Sequence, residues 1–246
     1  MNKDNFVILD IEVNVEENTP FEQHFNVIQL GATKITNGDY DKYDTFNSYI
    51  KPQDNQGASM GELTEFIKKL TKIEQKTIDE EGVSFTDAWN KFLVFCAPYF
   101  EFFASWGEYD WNILKKNCDY FGLPFPFKYH VNIKDYYRMI YSNKSVKLGM
   151  GVPSALKFFG LTYNEEGHHN GLEDAKMITM IAKAMAEKDF YTFKKSLYEF
   201  NMGNILTSCV SDKSRGFLVN PIMVKEYNDL EKRRQELNYV MFPTLC

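Results

Sequence analysis

Cysteine is scarce in this chain: four in 246 residues, at positions 96, 118, 209 and 246. None forms a CxxC pair or a regular framework, so the pattern excludes a disulfide scaffold and predicts four free thiols. No apolar run reaches membrane-spanning length, and Met1-Asn2-Lys3-Asp4-Asn5 lacks the basic-then-apolar form of a leader. These absences predict a soluble protein of a reducing cytoplasm with no membrane partner. Internal repeats and low-complexity tracts are missing too. Positive charge is in deficit, 28 Lys and Arg against 34 Asp and Glu, for a net charge of −6. That balance argues against coating long nucleic acid but leaves open a grip on a strand end alone. The local lysine groups (68, 69, 72, 76; 115, 116; 144, 147) read as solvated helix faces.

What is abundant is apolar and aromatic: 44% and 16% of residues, with 21 Phe and 15 Tyr, enough for a substantial core. Phe6 to Val13 is near-continuously apolar and reads as a buried strand. Val27 to Ile35 and Tyr43 to Ile50 follow as strands, with Asn37-Gly38-Asp39 turning between them. Together they predict an antiparallel meander with the first strand at one side. Helical patterning starts near Glu62 and runs through Ile67, Leu70 and Ile73. It returns at Thr86–Cys96, from Asp110 to Gly122, at Lys134–Tyr141, at Pro153–Phe159 and at Gly171–Ala186. Strands are expected at Tyr99–Ala104 and Lys128–Asn132. Strands first, then helix and strand in alternation, predict an α/β domain over 1–186 with a mixed five-stranded sheet flanked by helices. Residues 187–246, with helices expected near 189–200 and 225–238, read as a mainly helical C-terminal appendage packed on that domain.

The informative stretch is Val7-Ile8-Leu9-Asp10-Ile11-Glu12-Val13. Period two along a strand puts Asp10 and Glu12 on one face and Ile11 on the other. Two carboxylates on an apolar strand repel and cost desolvation, and a hard divalent cation relieves both. Asp110 stands where a strand gives way to a helix, the edge at which sites of α/β sheets gather. Asp174 falls in the first turn of the 171–186 helix, off its apolar stripe, five residues after His169 in Gly167-His168-His169-Asn170-Gly171. Each element also has a plainer reading. Asp-x-Glu occurs as surface carboxylates, Asp110 suits a helix cap, and His169 and Asp174 suit a loop followed by a dipole-favoured acid.

Taken in order, Asp10-Ile11-Glu12, Asp110 after Trp-Gly-Glu-Tyr, and His169-Asn-Gly-Leu-Glu-Asp174 resemble the DEDDh exonucleases. These are DnaQ-like 3′-to-5′ exonucleases of ribonuclease H-like fold. Leu70-Thr71-Lys72-Ile73 resembles that family's Leu-Thr-x-Ile turn, and the likeness is greatest to the ERI-like and sporulation-inhibitor branch. It covers about residues 1–186. Two positions depart from the common pattern: Asn14 where many members carry Thr, and Gln29 where many carry Glu.

The resemblance implies metal-dependent removal of the terminal nucleotide from the 3′ end of single-stranded RNA or DNA, releasing nucleoside 5′-monophosphates. Its site would hold two Mg²⁺ or Mn²⁺ ions on Asp10, Glu12, Asp110 and Asp174, with His169 as general base. Glycines 167 and 171 would let His169 swing in, and His168 reads as its solvated neighbour. Tyr109 is the expected stacking surface for the terminal base, with Leu70 and Ile73 wedged against it and Asn14 helping to hold the nucleotide; Tyr109 and Ile73 suit a core equally well. His24 and His130 carry no expected role. The alternative is a regulatory protein on an exonuclease fold that docks a protein partner through 187–246. An endonuclease of the same fold class is disfavoured by the histidine-bearing third motif.

Overall fold

The computed structural model describes residues 5–98, 102–141, 148–163 and 167–187. Within them the chain forms β1 (Phe6–Val13), β2 (Val27–Ile35), β3 (Tyr43–Tyr49), α1 (Glu65–Thr71), α2 (Gln75–Glu81), α3 (Phe85–Cys96) and β4 (Phe102–Ser105). It continues through α4 (Tyr109–Phe121), β5 (Tyr129–Asn132), α5 (Ile133–Tyr141), α6 (Val152–Phe159) and α7 (Gly171–Glu187). The strands lie in the order β3-β2-β1-β4-β5. The first three form the expected antiparallel meander. Its end strand β1 nevertheless becomes the centre of the sheet, because β4 pairs with it in parallel at Val7–Phe103 and Ile8–Ala104 and β5 follows in parallel.

Burial explains the unbroken apolar reading of β1. Val7, Leu9, Ile11 and Val13 pack with Trp89 and Phe92 of α3 and Leu114 of α4. Phe6 and Ile8 point the other way, into a cluster with Tyr137 of α5, Leu156 of α6 and Ile178 of α7. With helices on both faces, neither parity can be polar, except where the strand runs past its cover. Asp10 and Glu12 continue the parity of Phe6 and Ile8 and therefore belong to the α7 side.

Local chemistry sets where the elements stop. The pattern from Glu62 to Ile73 is broken into two helices rather than one. Thr64 caps α1 by accepting from Ile67 N–H, and Lys72 ends it in the left-handed conformation at φ 62°. The Thr71 hydroxyl donates to the Ile67 carbonyl and accepts from Ile73 N–H, closing the turn before α2. Between β2 and β3, Asn37 and Gly38 do take positive φ, 56° and 68°. The loop is longer than a tight hairpin because Asp39 Oδ1 accepts from the N–H groups of Asp41 and Lys42. Cys96 and Cys118 are buried free thiols, and burial pushes the Cys118 thiol up to about 12. The appendage beyond Glu187, Cys209 and Cys246, residues 99–101 of the expected fourth strand, and Lys144 and Lys147 lie outside the described residues. Among the described residues, no helix is long and apolar enough to cross a membrane.

Candidate active site

The sheet brings Asp10 and Glu12 of β1 to Asp174 of α7, with ligand oxygens all within 4.8 Å of one another. Asp110, in the first turn of α4, stands just outside that triplet. Strand β4 pairs with β1 only as far as Ile8, so the Ile11 N–H has no strand partner on that side. Asp110 Oδ1 accepts from it at 3.2 Å, which ties α4 to the strand that carries the other acids. Glu12, Asp110 and Asp174 are 8%, 3% and 4% exposed, yet among the described residues no Lys or Arg ion-pairs with them or with Asp10. Four carboxylates gathered with no Lys or Arg in direct ion-pair contact form a donor set of hard oxygens suited to a divalent cation.

Backbone contact between β2 and α7 sets the position of Asp174. A Cβ on Gly31 would lie 2.1 Å from the Leu172 nitrogen, and one on Gly171 would lie 3.0 Å from the Asp10 carbonyl. Glycine in a strand often marks such an approach, and Gly31 was the available signal for it. Gly31→Ala is expected to push the start of α7 away from β1, lowering the melting temperature and costing activity out of proportion to the stability lost. An overpacking cost of about 1–3 kcal/mol is the appropriate scale. Thermal unfolding alongside nuclease assay of the folded fraction checks it; unchanged activity would show that the two glycines do not set the site.

At Gly171, one of the two glycines of the expected hinge, the structure shows a packed and hydrogen-bonded corner. Gly171 is buried and its N–H donates to Gln29 Oε1 at 2.9 Å. Gln29 Nε2 donates to Asn47 Oδ1 at 2.9 Å and to Asn170 Oδ1 at 3.3 Å. Asn170 Oδ1 also accepts from Glu173 N–H, as a helix N-cap does. Gln29, set aside in the sequence as a mere departure, is thus the clamp of this corner. His168 is likewise no solvated neighbour: its Nδ1 bonds Asp174 Oδ1 at 2.8 Å. The His169 N–H donates to Asp174 Oδ2 at 2.8 Å. His169 sits at φ 67°, and the two imidazoles stack with centroids 3.9 Å apart. His168, His169 and Asp174 also form a group whose potential ligand atoms lie within 4.8 Å of one another.

Burial, and after it the crowding of like charge, shifts the proton affinities of the acids. Burial, then the fields of Asp110, Asp174 and Glu12, hold the Asp10 carboxyl well above its ordinary range. Burial and the same neighbours raise Glu12 to about 8. Burial, countered by a hydrogen bond from Ser105 and by Lys134, leaves Asp110 raised to about 6. A carboxyl with a raised folded-state pKa keeps its proton after the unfolded chain has released it. Metal-free stability is therefore present below the unfolded value and lost as pH rises toward the folded one. We expect the melting temperature in chelator to fall between about pH 5 and about pH 8, and Mn²⁺ to restore more at the higher pH, since it binds the deprotonated groups. A metal-free melting temperature that rises across this window would contradict the assignment.

The neighbouring expected contacts are placed as follows. Tyr109, half-buried beside Asp110, directs its hydroxyl to His24 Nδ1 at 2.7 Å. Asn14 bridges backbone: its Nδ2 donates to the Glu62 carbonyl and its Oδ1 accepts from Thr64 N–H. Ile73 is 3% exposed in a cluster with Ile28, Leu63, Ile67 and Ile78, while Leu70 lies half-buried at its rim. Of these two, only Leu70 keeps surface to offer a ligand.

A mixed sheet in this strand order, with acids on its central strand and on the helices beside it, is the arrangement of ribonuclease H-like nucleases. The model of the exonuclease family (RNase T) matches residues 7–182. A probable 3′-5′ exonuclease, KapD of Bacillus subtilis (strain 168), is 26% identical over 197 residues, 79% of this chain and 90% of that protein. ERI1 exoribonuclease 3 of Homo sapiens is 26% identical over 206 residues, 79% of this chain and 57% of that protein. The nuclease domain of 3′hExo, a DEDDh family member, bound to rAMP, superposes with a TM-score of 0.62 at 25% identity, covering 74% of this chain and 91% of that domain. Exonuclease I, at 12% identity and a TM-score of 0.62 over 78% of this chain and 42% of its own, shares the fold. The chain belongs to the exonuclease family, as a 3′-5′ exonuclease of DEDDh type. That family depends on divalent metal, in keeping with the acidic cluster.

Proposed function

We propose that this exonuclease shortens single-stranded RNA or DNA from the 3′ end, releasing nucleoside 5′-monophosphates. The observation that carries the reading is the convergence of Asp10, Glu12 and Asp174 within 4.8 Å, flanked by Asp110 and His169. Asp10, Glu12 and Asp174 would hold two Mg²⁺ or Mn²⁺ ions, Asp110 joining directly or through a water. Such ions stabilise the attacking and departing oxygens of an in-line displacement. His169 is the general base: burial, and the neighbouring His168, lower its pKa from the ordinary 6.5, so it is neutral and able to take a proton near neutral pH. Asp174 orients it through the His169 N–H, and His168 steadies Asp174 in turn. Tyr109, beside Asp110 in the chain, and Leu70, both half-buried, would serve as surfaces for the terminal nucleotide. Free thiols at Cys96 and Cys118 suit the reducing cytoplasm in which we place the enzyme.

A 5′-labelled single strand incubated with Mg²⁺ or Mn²⁺ should yield a ladder of products shortened from the 3′ end, abolished by chelator. Dominant internal cuts, or no ladder, would overturn the reading. Matched RNA and DNA strands run side by side decide the sugar preference, since only a contact to the 2′-hydroxyl distinguishes them.

A further inference from the structure

The loop between β1 and β2 is fastened to one side of α4. The Lys116 ammonium donates to the carbonyls of Glu22 and His24, at 2.7 and 2.9 Å. Asn117 Nδ2 donates to the Phe25 carbonyl at 2.6 Å. Two turns earlier on the same helix, the Tyr109 hydroxyl meets His24 Nδ1 at 2.7 Å. His24 Nε2 faces the Thr19 carbonyl at 2.9 Å, so Nε2 carries the proton and Nδ1 accepts from the tyrosine. Phe21 rides on this latch, with its ring 5.7 Å from that of Tyr109 and 5.9 Å from His24. It is 46% exposed, beside a tyrosine that itself lies in the field of Asp110, Glu12 and Asp10.

An aromatic ring left half in solvent, packed on His24 and on Tyr109 in a loop whose backbone Lys116 and Asn117 of α4 fasten, is placed to meet a flat apolar face. We propose that Phe21 is a base-stacking surface of the site, taking a nucleobase of the 3′-terminal dinucleotide next to Tyr109, and that His24 is the positioning residue that sets it there. The inference rests on the reading of the substrate as a single-stranded 3′ end. Every base presents a π-face, so such a contact strengthens binding without selecting sequence.

The test is equilibrium binding of single strands carrying 2-aminopurine at the last or the preceding nucleotide, in chelator so that no cleavage occurs, followed by KM and kcat with metal. Wild type should quench the probe at one of these positions. Phe21→Ala should lose the quench and weaken binding and raise KM about five- to a hundred-fold, with kcat nearly unchanged; Phe21→Trp should restore both. An abasic nucleotide at the stacked position should erase the difference between wild type and Phe21→Ala. His24→Ala should weaken binding less, and the double variant should be no worse than Phe21→Ala alone. Unchanged Kd and KM in Phe21→Ala, or a loss that persists with an abasic site at either position, would overturn the proposal. Quenching by a wild type that leaves no 3′-shortened ladder would refute the substrate reading and spare Phe21. Shortening that ignores Phe21 would do the reverse.

Discussion

Asp10→Asn is expected to lower turnover at least about 10³-fold, because it removes charge from the carboxylate that lies among Glu12, Asp110 and Asp174. The substitution keeps the shape of the side chain, so the fold should survive it. It also removes a member of a group in which burial first, and then the fields of neighbouring acids, raise the proton affinity of Asp10 and Glu12. The metal-free variant should therefore melt at the same temperature as wild type or higher, most clearly near neutral pH, where the wild-type acids are under greatest pressure to ionise. Calorimetric titration with Mn²⁺ should show weakened or lost binding. This pairing of effects separates a metal ligand from a buried structural acid: loss of a structural hydrogen-bonding group would lower activity and stability together. Retained activity would remove Asp10 from its assigned place.

His169→Ala is expected to lower kcat by roughly 10²- to 10⁴-fold, the range for removal of a positioned general base. Metal affinity should survive it, because Asp174 is approached by the His169 backbone N–H, which alanine keeps, and by the His168 ring. The φ of 67° at position 169 costs alanine some backbone strain, so His169→Asn, which tolerates that conformation better, is the companion variant. In wild type, burial and the neighbouring His168 lower the pKa of His169, which moves the acid limb of the rate profile below the ordinary 6.5. Both variants should lack that limb. A rate that is unaffected in either would leave the proton transfer to some other group.

The clamp at Gln29 shows why the sequence was incompletely readable at this corner. In the sequence it is one polar residue inside an apolar strand. In the fold, its amide spans from Asn47 of β3 to Asn170 and the Gly171 N–H, and so couples the second strand to the first turn of α7. The partners lie 18, 141 and 142 positions away, beyond any local pattern. Gln29 alternates with buried apolar neighbours and is itself fully buried, so periodicity alone gives its side chain no partner. His24 is similar in part: Thr19 lies five positions before it, but Tyr109, its other partner, is 85 positions on.

By itself the amino-acid order determined what local physics can determine. Alternation along β1 put Asp10 and Glu12 on one face, the helical pattern over Pro153–Phe159 located α6, and the order of the acidic and histidine motifs carried the resemblance to DEDDh exonucleases. Tertiary structure alone decided that β1 is the central strand, that His168 engages Asp174, and that Gly171 is a packed contact against β1 and β2. The physical reason is the range of the forces involved. Strand parity and helix caps act over a few residues. The meeting of four like charges depends on backbones touching at Gly31 and Gly171, and on a strand that ends early enough to leave the Ile11 N–H for Asp110.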